Sequence, residues 1–312
     1  MPDPVMHKFA IEIPAVPGTH FLDIGQIASL CNRKFYRQGM NWAVGNIEFW
    51  TNGDATMHIT KLPNTWVMAN AWVKGFSSWR ESRNQVLDDN PSIEAKYSDF
   101  KIYYDLDHQV SGVANNLLPF GFATNFGLDD SYEWEISELE FPNDPVAGAV
   151  ATYNVHALGS SDPNSKALIS GYGLSRSRPN QVEPNAPASN SWMQQLFDVG
   201  DQLPEIREDV VEENASPPYL VGSPTGVNSD EEFYPGGVNQ APTMSSYIQD
   251  ILVTRSGTSL TSDNSGPFLA PCGLLRLDVQ HQLDAPSESI MFLELVPGPV
   301  KGLLCQPMQE MN

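Results

Sequence analysis

Residues 41–62 read NWAVGNIEFWTNGDATMHITKL. Two runs rich in apolar, aromatic and β-branched residues, 41–51 and 55–62, flank the triplet Asn52-Gly53-Asp54. Asn and Gly tolerate the positive φ that a tight antiparallel turn demands, so the stretch predicts a β-hairpin. The period of two continues outward from it. Residues 99–105 (DFKIYYD), 146–157 (VAGAVATYNVHA), 166–174, 247–255 (YIQDILVTR), 274–280 (LLRLDVQ) and 289–296 (SIMFLELV) all have strand character. In 132–137, Tyr132, Trp134 and Ile136 alternate with Glu133, Glu135 and Ser137, the pattern of a half-buried strand with an acidic outer face.

One segment has a different period. In 65–80 (TWVMANAWVKGFSSWR), Met68, Trp72, Phe76 and Trp79 recur at helical spacing and predict one helix packed by an aromatic face. Gly75 weakens it by about 1 kcal/mol, so tertiary packing must hold it. Residues 178–246 are rich in Pro, Asn, Ser and Gly and carry the acidic run EIREDVVEEN at 205–214. They predict extended surface and contact loops, with a short helix over 190–203. Eight or nine strands, one helix and long loops in 312 residues predict an all-β fold. The expected form is an antiparallel two-sheet sandwich, with an eight-stranded jelly roll first among candidates and the helix following the second strand.

Charge narrows the partners. Of the net −21, residues 1–110 contribute −2 and residues 111–312 contribute −19. The acidic part repels nucleic acid and anionic lipid, so a polyanionic partner has to meet the first third of the chain. There, just before the hairpin, lies NRKFYRQG, in which Arg33, Lys34 and Arg37 surround Phe35 and Tyr36. Arg forks onto phosphate and an aromatic ring stacks on an exposed base. Arg80 and Arg83, at the end of the predicted helix, add two cations. Pairing of these cations with the acidic surface of a neighbouring copy is the equal alternative.

Other chemistry is weakly indicated. Cys31, Cys272 and Cys305 are odd in number and widely spaced, which predicts neither a disulfide framework nor zinc and suits a reducing compartment. The six His are scattered, and no phosphate-loop, dinucleotide or nucleophile-elbow motif occurs, so no enzyme is expected. Asp129-Asp130 and Glu212-Glu213 are the candidate oxygen donors for calcium. No signal peptide and no membrane-spanning run is read from the sequence.

The runs LCNRKFYRQGMNWAVGNIEFW and KLPNTWVMANAWVKGFSSW resemble capsid proteins of circular Rep-encoding single-stranded DNA viruses. The likeness covers roughly residues 20–105, with later strands agreeing in order and number. It implies a single viral jelly roll that assembles, at the usual family count of about 60 copies, into an icosahedral shell around circular single-stranded DNA. It further implies a host receptor as partner, and residence in the virion after synthesis inside a host cell and passage through the nucleus; in such a shell the carboxylate pairs named above would hold calcium at subunit interfaces. Arg33, Lys34 and Arg37 would face the genome. Family capsids commonly begin with a long basic arm, whereas residues 1–32 hold one Lys or Arg, Lys8. Residues 1–30 are therefore expected to form an arm that is not basic. The alternative function is a carbohydrate-binding or glycoside-cleaving jelly roll in which Trp42, Trp50 or Trp134 stacks on sugar.

Overall fold

The computed structural model describes residues 5–82, 99–120, 134–142, 150–176, 246–253, 261–281 and 289–311. Two antiparallel sheets face each other. The first contains β1 (Lys8–Ile13), β3 (Met40–Thr51), β9 (Thr261–Asn264), β10 (Phe268–Ala270), β12 (Ser289–Leu295) and β15 (Cys305–Pro307). The second has β2 (Gly18–Asp23), β4 (Ala55–Lys61), β8 (Ser246–Val253) and β11 (Leu274–His281), in the order β2-β11-β4-β8. The first sheet follows β1-β12-β3-β10, with β9 and β15 also paired to β3.

The hairpin expected at 41–62 does not form: β3 and β4 are both strands, but they pair with other strands in opposite sheets, and the chain crosses between the sheets at 52–54 without positive φ at Asn52 or Gly53. Alternation along β3 slips by one residue. Trp42 and Val44 face the core, and so do Ile47 and Phe49. A bulge produces the slip: Asn46 pairs with Glu294 and Val44 with Leu295, leaving Gly45 without an opposite residue. Beside the bulge the neighbouring edge is broken too. β9 pairs with Glu48–Thr51 and β10 with Trp42–Val44, so the two short strands occupy one interrupted position. Inward residues from both sheets, among them Phe9, Ile11, Leu22, Met57, Ile59, Leu277 and Leu293, make one core.

A long insertion separates β4 from β8. It holds α2 (Trp66–Glu81), α3 (Leu106–Ser111), a small sheet of β5 (Glu138–Pro142), β6 (Val150–His156) and β7 (Ser165–Ala167), and α4 (Leu168–Arg176). Its apolar residues join Phe21, Cys272 and Leu274 in a second core on the far side of the second sheet. Residues 117–120 then run along the edges of both sheets: Leu117 N–H donates to Phe21 O and Phe120 N–H to Ala10 O, each at 2.8 Å. A small hairpin, β13 (Pro297–Gly298) with β14 (Gly302–Leu303), follows β12.

Several expectations are corrected. Residues 8–23, expected within a non-basic arm, are β1 and β2, each paired along its length. The helix expected after the second strand follows the fourth, because β1 and β2 precede β3 and β4. A further helix, α1 (Ile24–Asn32), lies between β2 and β3, with Ile24, Ile27 and Ala28 on its buried face. Residues 99–105 form no strand. Their alternation is real, but Phe100, Ile102 and Tyr104 enter the second core with only one bridge, Tyr103 to His156. Residues 134–137 precede β5 as irregular chain. The run 166–174 is a strand only to Ala167. Leu168, Ile169 and Tyr172 then sit at helical spacing and pack on the second core. The stretch 177–245, including the helix expected over 190–203, lies outside the described residues.

Candidate nucleic-acid interface

The cationic run begins where α1 ends. Asp23 caps the start of α1, accepting the Gln26 N–H at 3.2 Å. Arg33 caps its end in the left-handed conformation, φ 51° and ψ 33°, a place usually held by Gly or Asn. The reversal turns the chain directly into Lys34, Phe35, Tyr36 and Arg37. Arg33 and Arg37 are exposed, Lys34 is half-buried, and the Phe35 ring is 50% exposed.

Tyr36 is not available to a ligand. It is 3% exposed, packs at 5.7 Å from Trp42, and its hydroxyl donates to Lys301 O at 2.9 Å. Its proposed stacking role is therefore corrected: it anchors the loop to the core. The bond brings in a cation that the sequence did not nominate. Lys301 sits in the β13–β14 turn, also left-handed at φ 50°, and its ammonium donates back to the Phe35 carbonyl. The ammonium lies 5.7 Å from the Tyr36 ring centre.

A second unexpected lysine lies beneath. Lys101 pairs with Asp99 at 2.8 Å, and its ammonium is 5.7 Å from the Phe35 ring and 4.7 Å from Trp134. Below it is a buried polar hub. The Gln38 side chain donates to Asp23 Oδ2 at 2.8 Å and to Ile102 O at 3.1 Å, while accepting the Ile102 N–H at 2.6 Å. Trp134 Nε1–H donates to the same Asp23 oxygen at 2.8 Å. Burial pushes the Asp23 carboxyl up to about 6, against the pull of these donors. The hub fixes both sides of the loop that carries the exposed cations.

The structure thus ties Lys301, through Phe35 and Tyr36, to the run that carries Arg33, Lys34 and Arg37. Arg80 lies exposed on the last turn of α2, and Arg83 falls outside the described residues. So do the calcium candidates Asp129, Asp130, Glu212 and Glu213. Among the described residues no group of three or more His, Cys, Asp or Glu is placed to hold a metal, and no helix is long and apolar enough to cross a membrane. Three carboxylates do converge, on a guanidinium: Arg276 meets Asp105 at 2.7 Å, Asp107 at 3.0 Å and Asp278 at 3.2 Å, fastening α3 to the second sheet.

The tryptophans nominated for sugar stacking are mostly interior. Trp42 is 0% and Trp134 5% exposed, and Trp50 is half-buried on the outer face of the first sheet. A Ser165–His156 pair at 2.6 Å is buried and closed to substrate. Burial lowers His156 to about 4. Comparison with known proteins yielded no matching family model, no matching curated protein and no matching solved structure.

Proposed function

We propose that this protein is a viral capsid subunit whose function is to assemble with copies of itself into a closed shell around single-stranded DNA. The observation that carries the reading is the strand pairing. Counting β9 and β10 as one position, and setting aside the three-residue β15 on the edge of β3, gives eight: β1 pairs β12, β2 pairs β11, β3 pairs β9 and β10, and β4 pairs β8. First with eighth, second with seventh, third with sixth and fourth with fifth is the pattern of a long hairpin rolled into two sheets, the jelly roll. Together with the likeness of residues 20–105 to capsid proteins of circular single-stranded DNA viruses, this order favours a shell subunit over an enzyme. The interior placement of Trp42 and Trp134 weighs against the carbohydrate-binding alternative.

In this reading the turns between successive strands lie at two ends of the sandwich and supply contacts between copies. Each contact is weak alone and becomes strong when a closed shell repeats it. Calcium bridging neighbouring subunits belongs to the same proposal and is tested by adding a chelator to particles. The principal experiment is size-exclusion chromatography with negative-stain imaging. A shell of about 60 copies of a 34.4 kDa chain has a mass of about 2 MDa and is seen as uniform spheres. Well-folded protein that stays a monomer or dimer across salt, pH and divalent-ion conditions overturns the reading.

A further inference from the structure

We infer that Phe35 is a stacking platform for one unpaired base of a single-stranded nucleic acid, with Arg33, Arg37 and Lys301 holding the phosphates on either side. The choice of DNA as the polymer rests on the capsid reading; the geometry of the cradle does not.

Two features make this more than a patch of surface charge. The first is that a large aromatic ring stands half in solvent amid cations, with the Lys101 ammonium 5.7 Å from its centre. A flat apolar ring with the Asp99-paired Lys101 ammonium over one face, in a run that also carries exposed Arg33 and Arg37, matches a base flanked by phosphates. The second is backbone strain. Among the described residues only Arg33, Cys272 and Lys301 hold positive φ without being glycine. Two of these three are cations of this cradle. Each such conformation costs on the order of 1 kcal/mol and persists where the surroundings enforce it, commonly at ligand sites. Arg33 is held there as the C-cap of α1, and Lys301 by the Tyr36 hydroxyl on its carbonyl and by its own ammonium on Phe35 O. The two loops, 265 residues apart in sequence, are therefore fixed before any ligand arrives. A duplex keeps its bases stacked and paired, out of reach of the ring, so the cradle selects single strands.

The test measures anisotropy of a fluorescein-labelled oligo(dT) of about 20 nucleotides, and of a duplex of equal length, with the full chain over a salt series. The expected result is tighter binding of the single strand. Phe35→Ala is expected to weaken it by at least about fivefold with little change in salt slope, and Phe35→Trp to restore it. Lys301→Ala is expected to lower the slope by about 0.7, the loss of one phosphate contact. Phe120→Ala, at another exposed aromatic, serves as the control and is expected to bind normally. Thermal unfolding of each variant checks that the fold is retained. Equal affinity of Phe35→Ala and the parent, or duplex bound as well as single strand, overturns the inference. So does loss of particles in Phe35→Ala or Lys301→Ala with oligonucleotide binding intact, which would make the cradle a contact between copies. Normal oligonucleotide binding by a chain that never forms particles overturns the capsid reading and leaves the cradle standing.

Discussion

The sandwich core and the insertion core lie on opposite faces of the second sheet and are built from different contacts. The sandwich joins the ends of the chain: Lys8 pairs with Glu294 and Gly18 with Val279. Its side chains are mostly aliphatic and its strands hold one another by long-range ladders. The insertion core is richer in aromatic side chains, and most of it comes from residues 62–169, with Phe21, Leu274 and Met308 closing it. Trp72 stacks on Phe76 with centres 5.2 Å apart, and Phe100 packs against Trp79 at 5.5 Å. Buried histidines belong to this second region. His108 accepts the Tyr104 N–H at 3.0 Å and is hydrogen-bonded to Asn116 at 2.8 Å, stacked on Phe21. The two regions therefore share β2 and β11 but respond to different perturbations.

The largest effects come from deleting one aromatic in each core. Trp42→Ala and Phe100→Ala should each cost about 3–5 kcal/mol. Trp42 is fully buried between the sheets, so its loss is expected to raise hydrogen exchange in β3, β11 and β12 together. Phe100→Ala should raise exchange in α2 and β6 first. Identical exchange patterns in the two variants would merge the regions into one cooperative unit.

Acid sharpens the comparison next. Burial lowers His108 and His156 to about 4, below the ordinary 6.5. A depressed histidine contributes stability that is present above 6.5 and lost as pH falls toward 4, about 3 kcal/mol apiece. Asp23 acts in the opposite sense. Its pKa is raised from 3.8 to about 6, so protonation between those values returns about 3 kcal/mol. The net loss on going from pH 7 to 4 is about 3 kcal/mol from these three groups, concentrated in the insertion. Urea midpoints at the two pH values check it, and an unchanged midpoint contradicts it.

The smallest effect is at a helix cap. Thr65 caps α2, its side chain accepting the Met68 N–H at 3.4 Å. Thr65→Ala should cost about 1 kcal/mol and raise exchange in the first turn of α2 alone.

Much of the sandwich was legible in the sequence. The strands at 41–51, 55–62, 274–280 and 289–296, the described part of 247–255, and the helix at 65–80 follow from local period, whereas the Asn52-Gly53 signal misled, because the two strands it joins pair in different sheets. β1 and β2 are illegible in composition alone, which makes residues 1–30 resemble an arm, although Phe9, Ile11 and Ile13 alternate. α1 escaped because its nine residues give only two and a half turns of pattern. Residues 99–105 misled because an extended chain buried on every side carries apolar and aromatic residues whether or not it joins a ladder. Of the cradle, Arg33, Lys34, Phe35 and Arg37 were visible as a run. Burial of Tyr36, and the arrival of Lys101 and Lys301, were not.

Antiparallel sheets, the aromatic helix at 65–80 and the place where positive charge gathers are all written in the order of the residues. Those properties are set by neighbours within a few residues, through side-chain period, turn residues and local composition. Only the tertiary structure decided which strands are partners, that Gly45 is a bulge, and which of two adjacent aromatics, Phe35 or Tyr36, meets solvent. These depend on residues hundreds of positions apart, such as Tyr36 and Lys301. Their contacts form only after the sheets close, and nothing in the local pattern encodes them.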